Sequence, residues 1–210
     1  MNKLNQIFNR TLIISTLFLF TMGSFAHGSE DYTTTVKVNG IELNQAISAV
    51  QVDKLLGRNS QKITKEYAEC TGNYEYSTST PSGKKLKFEI FAEDNPQIKS
   101  DSFYKNKQNF QQLGTTKGRV WLSWTNSQNI NDSIFVNNQA ITHQYTLNQF
   151  KKDFPNSAKN GTDVLILTSA EAKQYLKKST EFEIGYTAYV HFDFKNGKLN
   201  KLEINQGMAC

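Results

Sequence analysis

The residues able to do chemistry are few and scattered along the 210-residue chain. His191 and Asp193 stand two apart in an alternating stretch, so on one face of a strand they could orient an imidazole or hold a metal. Two ligands are too few for a structural zinc site, and a histidine on an exposed sheet face is more often a plain surface residue. His143 lies in the lead-in to a helix cap, and His27 stands alone at the end of an apolar leader. The sequence holds no Gly-x-Ser-x-Gly elbow, no His-Glu-x-x-His, no phosphate-binding glycine loop and no Cys-x-x-Cys. It therefore suggests no catalytic residue, no metal set and no cofactor, and an enzyme is not the expectation.

More informative is what the polar face of a sheet is expected to carry. Strand alternation places Phe91, Trp121, Tyr189, His191 and Asp193 there, among Lys87 and Glu89. Aromatic residues on such a face are the usual anchors of a protein interface, which makes these five the candidate partner-binding residues. The competing expectation is that Phe91 and Trp121 pack beneath the irregular segment Asn95–Lys117.

Compartment follows from the two ends of the chain. Lys3 and Arg10 flank a polar start, Leu12–Met22 is apolar, and Ser24-Phe25-Ala26 has the small-x-small pattern of a signal-peptidase site. The run is about half the length that spans a bilayer. Residues 1–26 therefore read as a secretory signal rather than a membrane anchor, and the mature protein is expected to be periplasmic or secreted. Of 24 basic residues, two lie in the leader; the 22 that remain face 19 acidic ones, an excess too small and too dispersed for nucleic acid. Cys70 and Cys210 are the two cysteines, and in an oxidising compartment an isolated pair points to a disulfide. By the chain-entropy relation, closing so long a loop contributes about 4–5 kcal/mol.

The elements that must position the face are announced by their caps. Ser48 and Gln51, then Thr146 and Gln149, each have a hydroxyl residue three places before a glutamine, as in a capping box. Apolar residues at Ile47 and Val52, and at Tyr145 and Phe150, are spaced for hydrophobic staples. The two boxes are 98 residues apart, and the same offset lays Val38-Asn39 on Val136-Asn137 and Lys54 on Lys152. Thr168 and Glu171 form a third box, opening a helix to about Lys178 with Ala172, Tyr175 and Leu176 inward. Strands are expected at Val36–Val38, Asn73–Ser77, Lys84–Ala92, Arg119–Thr125, Ile134–Val136 and Val164–Leu167. A closing hairpin is expected from Phe182–Phe194 through Asn196-Gly197 to Leu199–Ile204. Gln61–Glu69 is ambiguous between helix and strand, and Ser102–Gly114 is a weaker helix. The 98 offset also lays Leu86–Ala92 on Ile184–Val190.

These patterns predict an α+β protein of two tandem units, 27–128 and 129–210, each with short capped helices on one face of an antiparallel sheet. In Ser48–Gly57, Thr146–Pro155 and the hairpin Tyr186–Ile204, the layout resembles the β-lactamase inhibitor protein family. It is also similar to the small outer-membrane assembly lipoproteins of the SmpA/OmlA type. The lipoprotein cysteine is missing here, and one long-range cysteine pair stands where the inhibitors have local bridges. The resemblance implies a binding module whose open sheet grips a protein of the cell envelope, as an inhibitor or immunity protein does. A small-ligand or cell-wall binding domain, with a deep apolar pocket between the units, is the alternative, and an enzyme of unrecognised type the third.

Overall fold

The computed structural model describes residues 30–57, 60–67, 71–78, 80–91, 116–176 and 188–207; for 60–67 and 71–78 the description is of backbone and pairing. The leader, Cys70, Cys210, the helix expected at 102–114 and the strand expected over 182–187 lie outside these residues.

In chain order, a two-residue strand β1 (Tyr32–Thr33) precedes a hairpin of β2 (Val36–Val38) and β3 (Ile41–Glu42). Strand β4 (Ile47–Ser48) then leads into helix α1 (Ala49–Leu56). A run of four eight-residue strands follows: β5 (Ser60–Tyr67), β6 (Thr71–Thr78), β7 (Lys84–Phe91) and β8 (Lys117–Trp124). After a 3-10 turn at Ser127–Asn129 come a second small hairpin, β9 (Ile134–Val136) and β10 (Gln139–Ala140), and helix α2 (Leu147–Asp153). The chain continues through the one-turn α3 (Ser157–Asn160), β11 (Asp163–Ile166) and α4 (Ser169–Tyr175). It closes on the hairpin β12 (Tyr189–Lys195) and β13 (Lys198–Asn205). The protein is α+β. One large sheet runs β1-β11-β12-β13-β8-β7-β6-β5, with β4 joined to the start of β8, and a small sheet runs β10-β9-β2-β3.

All three capping boxes form. Gln51 N–H donates to Ser48 Oγ at 3.3 Å while Ser48 N–H donates to Gln51 Oε1 at 2.9 Å. The matching distances are 3.2 and 2.8 Å at Thr146/Gln149, and 3.3 and 2.6 Å at Thr168/Glu171. Ile47, Val52, Tyr145 and Phe150 are all buried, as staple residues must be. Helices of seven or eight residues do not persist alone in water, so the caps and packing act together. Ser48→Ala and Thr146→Ala are each expected to lose about 1 kcal/mol in urea unfolding; losses under about 0.3 kcal/mol in both would mean that packing alone fixes these helices.

Several features recur 98 residues apart. Leu43 N–H donates to Val36 O at 2.8 Å, and Ile141 N–H to Ile134 O at 2.9 Å. Asn39 and Gly40 sit at positive φ, as do Asn137 and Asn138. Strands β2 and β9 pair antiparallel about Lys37 and Phe135, which stand opposite each other. The bond from Asn39 N–H to Ser133 O is mirrored by the one from Asn137 N–H to Thr35 O. In the large sheet the spacing changes. Leu86, Leu122, Ile204 and Val190 lie in one row across β7, β8, β13 and β12, so Leu86 answers to Val190, 104 residues on, and Leu122 to Ile204, 82 on. The expected alignment of Leu86–Ala92 with Ile184–Val190 at 98 is thus displaced. The chain between β7 and β8 is far longer than the Asn196-Gly197 turn between β12 and β13, so no single offset survives both.

The halves are interleaved. Strand β1 leaves its own half to pair parallel with β11. Just before it, Asp31 accepts from the N–H groups of Asn156 and Ser157 at 2.7 and 2.9 Å. Buried Gln206 ties β8 to the loop before β4: its Oε1 accepts from Val120 N–H at 2.7 Å, and its Nε2 donates to Leu43 O and Gln45 O.

One face of the large sheet packs against α1, α2 and the small sheet. Leu86, Phe88, Ile90, Val120, Leu122, Trp124, Val190, Phe192, Leu202 and Ile204 all point into this core. At the α2 end it is aromatic, with Phe192 centred 5.0 Å from Phe150, 5.8 Å from Tyr145 and 6.1 Å from Phe154. Gly118 is required where β8 crosses β7, because a Cβ there would press into the Glu89 carbonyl and the Phe88 ring.

A polar network closes the other end. Lys84 is 4% exposed; its Nζ donates to Leu55 O at the end of α1 and to Asp132 Oδ1 at 2.9 Å. Asp132, from the linking run after β8, also accepts from Asn39 Nδ2 at 2.8 Å and Trp124 Nε1 at 2.7 Å.

One ambiguity is resolved and one expectation fails. Of the stretch that reads as either helix or strand, the described part, to Tyr67, is strand, with a bulge between Lys62 and Thr64 of the kind that blunts a sheet edge. Leu176 is 69% exposed rather than inward: the helix stops at Tyr175, and only Ala172 of the three expected residues is buried.

Candidate protein-binding face

Odd-numbered residues of β7, β8 and β12, and those of β13 from Lys201 on, point away from the core, and register fixes which of them meet; before the bulge in the β12–β13 pairing Leu199 points inward. Asp163, His191, Glu203, Ser123 and Lys85 form one row across β11, β12, β13, β8 and β7. Leu165, Tyr189, Asn205, Trp121 and Lys87 form the next. The candidates Trp121, Tyr189, His191 and Asp193 therefore share one face and are half-buried. Helix α4 borders this face at its β11 edge, where Leu165, Leu167 and Ala172 make a separate apolar cluster with Tyr32 and Tyr175.

Phe91 departs from the expected pattern. It is 6% exposed, with the Arg119 guanidinium 5.6 Å from its ring centroid. Its neighbour Glu89 is buried too, joined to Lys87 Nζ at 2.5 Å. Alternation assigned the right side of the sheet but not the exposure, so Phe91 is a packed residue and the open face begins at Lys87 and Trp121.

His191 is held by Asp163, not by Asp193. Its Nδ1 lies 2.5 Å from Asp163 Oδ1, with both side chains a little under half exposed. Asp193 instead accepts from Asn200 Nδ2 at 2.8 Å. The cause is geometric: residues two apart on a strand are separated by about 7 Å, whereas cross-strand partners stand about 5 Å apart. Tyr189 donates to Glu203 Oε1 at 3.0 Å and receives Asn205 Nδ2 at 3.4 Å. Its phenol is pushed above the ordinary tyrosine range, first by burial and then by the Glu203 carboxylate, with the Asn205 hydrogen bond opposing. At neutral pH it is therefore a hydroxyl donor already oriented by its neighbours.

Asp163, Glu203 and Asn205 were not singled out by sequence reasoning. Glu203 and Asn205 alternate with buried Leu202 and Ile204, a visible signal; Asp163 becomes relevant only when β11 pairs with β12. Among the described residues no group of three or more His, Cys, Asp and Glu is placed to hold a metal. Nor, among them, is any helix long and apolar enough to cross a membrane. A separate cleft of about 240 Å³ with a mixed lining opens beside Lys84 and Asp132 at the end of α1, lined also by Asn39, Lys54, Leu55 and Ser82.

Comparison of the chain with protein-family models, curated proteins and solved structures returned no match.

Proposed function

We propose that this is a periplasmic or secreted protein-binding module, acting as an inhibitor or immunity protein against an enzyme of the cell envelope. The observation that carries it is the half-open sheet face with Tyr189 and His191 on β12 and Trp121 two strands away on β8, the phenol and the imidazole each oriented by a neighbour. Rigid aromatic anchors bind at low entropic cost, because little side-chain freedom remains to be lost. The core on the opposite side of the same strands makes that face a stiff platform. In the same proposal, residues 1–26 are removed on export, Cys70 and Cys210 are bridged, and the halves are two copies of one unit, supported by the features matched at 98 residues. Among the described residues, the cleft beside Lys84 is smaller than the roughly 300–1,000 Å³ of ordinary ligand pockets and does not supply the deep apolar pocket the small-ligand alternative calls for.

The test is a pull-down of envelope proteins by the exported chain, read by mass spectrometry beside a Tyr189→Ala, His191→Ala variant. The expected result is one stoichiometric partner, lost by the variant while its unfolding midpoint stays within about 1 kcal/mol of the parent. A partner retained by the folded variant moves the site elsewhere. No partner from any envelope extract overturns the function.

A further inference from the structure

Helix α4 lies on the outer side of the large sheet, and little apolar packing holds it there. Of its seven residues only Ala172 is buried, and Leu176 just beyond it is exposed. Beneath it sit Leu165 and Leu167, 4% and 3% exposed on a face that is half-open at Tyr189 and His191. Leu165 stands opposite Tyr189, so the apolar ground under α4 continues the row of Tyr189, Asn205 and Trp121. These leucines belong to a small cluster apart from the main core, which takes Val164 and Ile166 of the same stretch. A segment with so few buried apolar contacts of its own opens at low cost while the rest stays folded.

What fastens α4 is the chain at residues 30–33. Leu165 N–H donates to Asp31 O at 3.0 Å, and Leu167 N–H to Thr33 O at 2.9 Å. Tyr175, the last residue of α4, donates its hydroxyl to Glu30 O at 3.1 Å, and its ring meets that of Tyr32 edge-on with centroids 5.6 Å apart. Asp31 anchors the segment in turn. Besides the two backbone donors at the start of α3, its carboxylate accepts from Asn156 Nδ2 at 3.2 Å, and its own N–H donates to Ser157 Oγ at 3.0 Å. The fastening is thus made mostly of hydrogen bonds, each of modest net worth in water.

We infer that α4 is a lid over the β11 end of the docking face and that residues 30–33 are its latch. Releasing the latch frees the lid and uncovers Leu165 and Leu167 beside Tyr189, an apolar extension of the face. Strand β11 itself stays in the sheet, because it pairs with β12 on its other side and Ile166 N–H donates to Ala188 O at 2.8 Å. Resting on the reading of this face as a docking surface, the lid adds its regulation. It keeps the two leucines from water until a partner takes its place, and apparent affinity scales with the fraction of molecules whose lid is open.

Hydrogen exchange of the exported chain, followed residue by residue by NMR, tests the latch. Leu165 and Leu167 donate to it, whereas Ile166 between them donates to Ala188. Leu165 and Leu167 are expected to exchange at least about tenfold faster than Ile166, an alternation that global unfolding cannot produce. Equal rates at all three overturn the proposal. Asp31→Ala is expected to speed exchange at Leu165, Leu167 and Ala172 together by about tenfold, with Ile166 unchanged. The same variant is expected to bind anilinonaphthalene sulfonate more strongly, as the leucines are uncovered. Faster exchange at Leu165 and Leu167 with none at Ala172 overturns the link from latch to lid. Should circular dichroism show Asp31→Ala unfolded, Tyr175→Phe replaces it, removing the hydroxyl that Glu30 O accepts; a smaller rise at Ala172 is expected, and no rise overturns the link. Towards a captured envelope protein, Asp31→Ala is expected to bind several-fold tighter, and equal or weaker binding overturns the lid's regulatory role. A chain that shows the alternation and captures nothing loses the partner function alone; one that captures a partner with uniform exchange loses the lid alone.

Discussion

Asp132→Ala is expected to destabilise the protein by about 3 kcal/mol, more than a side chain in a linking run would ordinarily cost. Lys84 is nearly sequestered, and Asp132 itself is 16% exposed in the pair. Removing the carboxylate takes the counter-charge from a nearly buried ammonium, and it also takes the acceptor from Trp124 Nε1 and Asn39 Nδ2. The loss should reach several elements together, because the network joins the β2–β3 turn, the end of α1, the start of β7 and the linker. Lys84→Met is expected to cost less, about 1–2 kcal/mol, since the carboxylate keeps two donors. Adding Lys84→Met to Asp132→Ala should recover part of the loss, a coupling of about 1–2 kcal/mol in a double-mutant cycle. Urea unfolding at low and high salt measures all three. A loss under about 1 kcal/mol for Asp132→Ala, or one abolished by salt, would make this an ordinary surface pair.

Phe192→Ala is expected to cost about 4 kcal/mol. The ring is fully buried, and four aromatic rings, those of Tyr145, Phe150, Phe154 and Phe194, have centroids within 6.3 Å of its own. Such rings are stiff and cannot close around the void, so the cavity term adds to the lost transfer energy. Helix α1 presents smaller side chains to the core than α2 does. The position answering to Phe150 there is Val52, and to Phe154, Leu56; Val52→Ala is expected to cost about 2 kcal/mol. Phe192→Leu should retain more than half of the wild-type packing. Unfolding free energies from denaturant titration test the order, and equal losses for Phe192→Ala and Val52→Ala would remove the case for a stiffer core beneath α2 than beneath α1.

Local features were legible where the physics is local. A capping box closes within four residues, so Ser48, Thr146 and Thr168 could be placed without knowing the fold. The turn at Asn196-Gly197 was likewise readable, since both residues sit at positive φ. Alternation gave the side of the sheet for Trp121, Tyr189 and His191. It could not give exposure: Phe91 has the same parity and is buried, because burial depends on what lies over a residue rather than on its strand.

By itself, the sequence determined the α+β class, the three capped helices, the closing turn and the apolar faces of β7, β8 and β12. The tertiary structure alone decided the strand order, the crossing of β1 into the other half and the change from a 98-residue offset to 104 and 82. It also decided that His191 meets Asp163 instead of Asp193, and that Lys84 is buried against Asp132. The reason is one of distance along the chain. Caps, turns and alternation are settled by neighbours a few residues away, whereas pairing brings together residues such as His191 and Asp163, or Lys84 and Asp132, whose proximity no local pattern encodes.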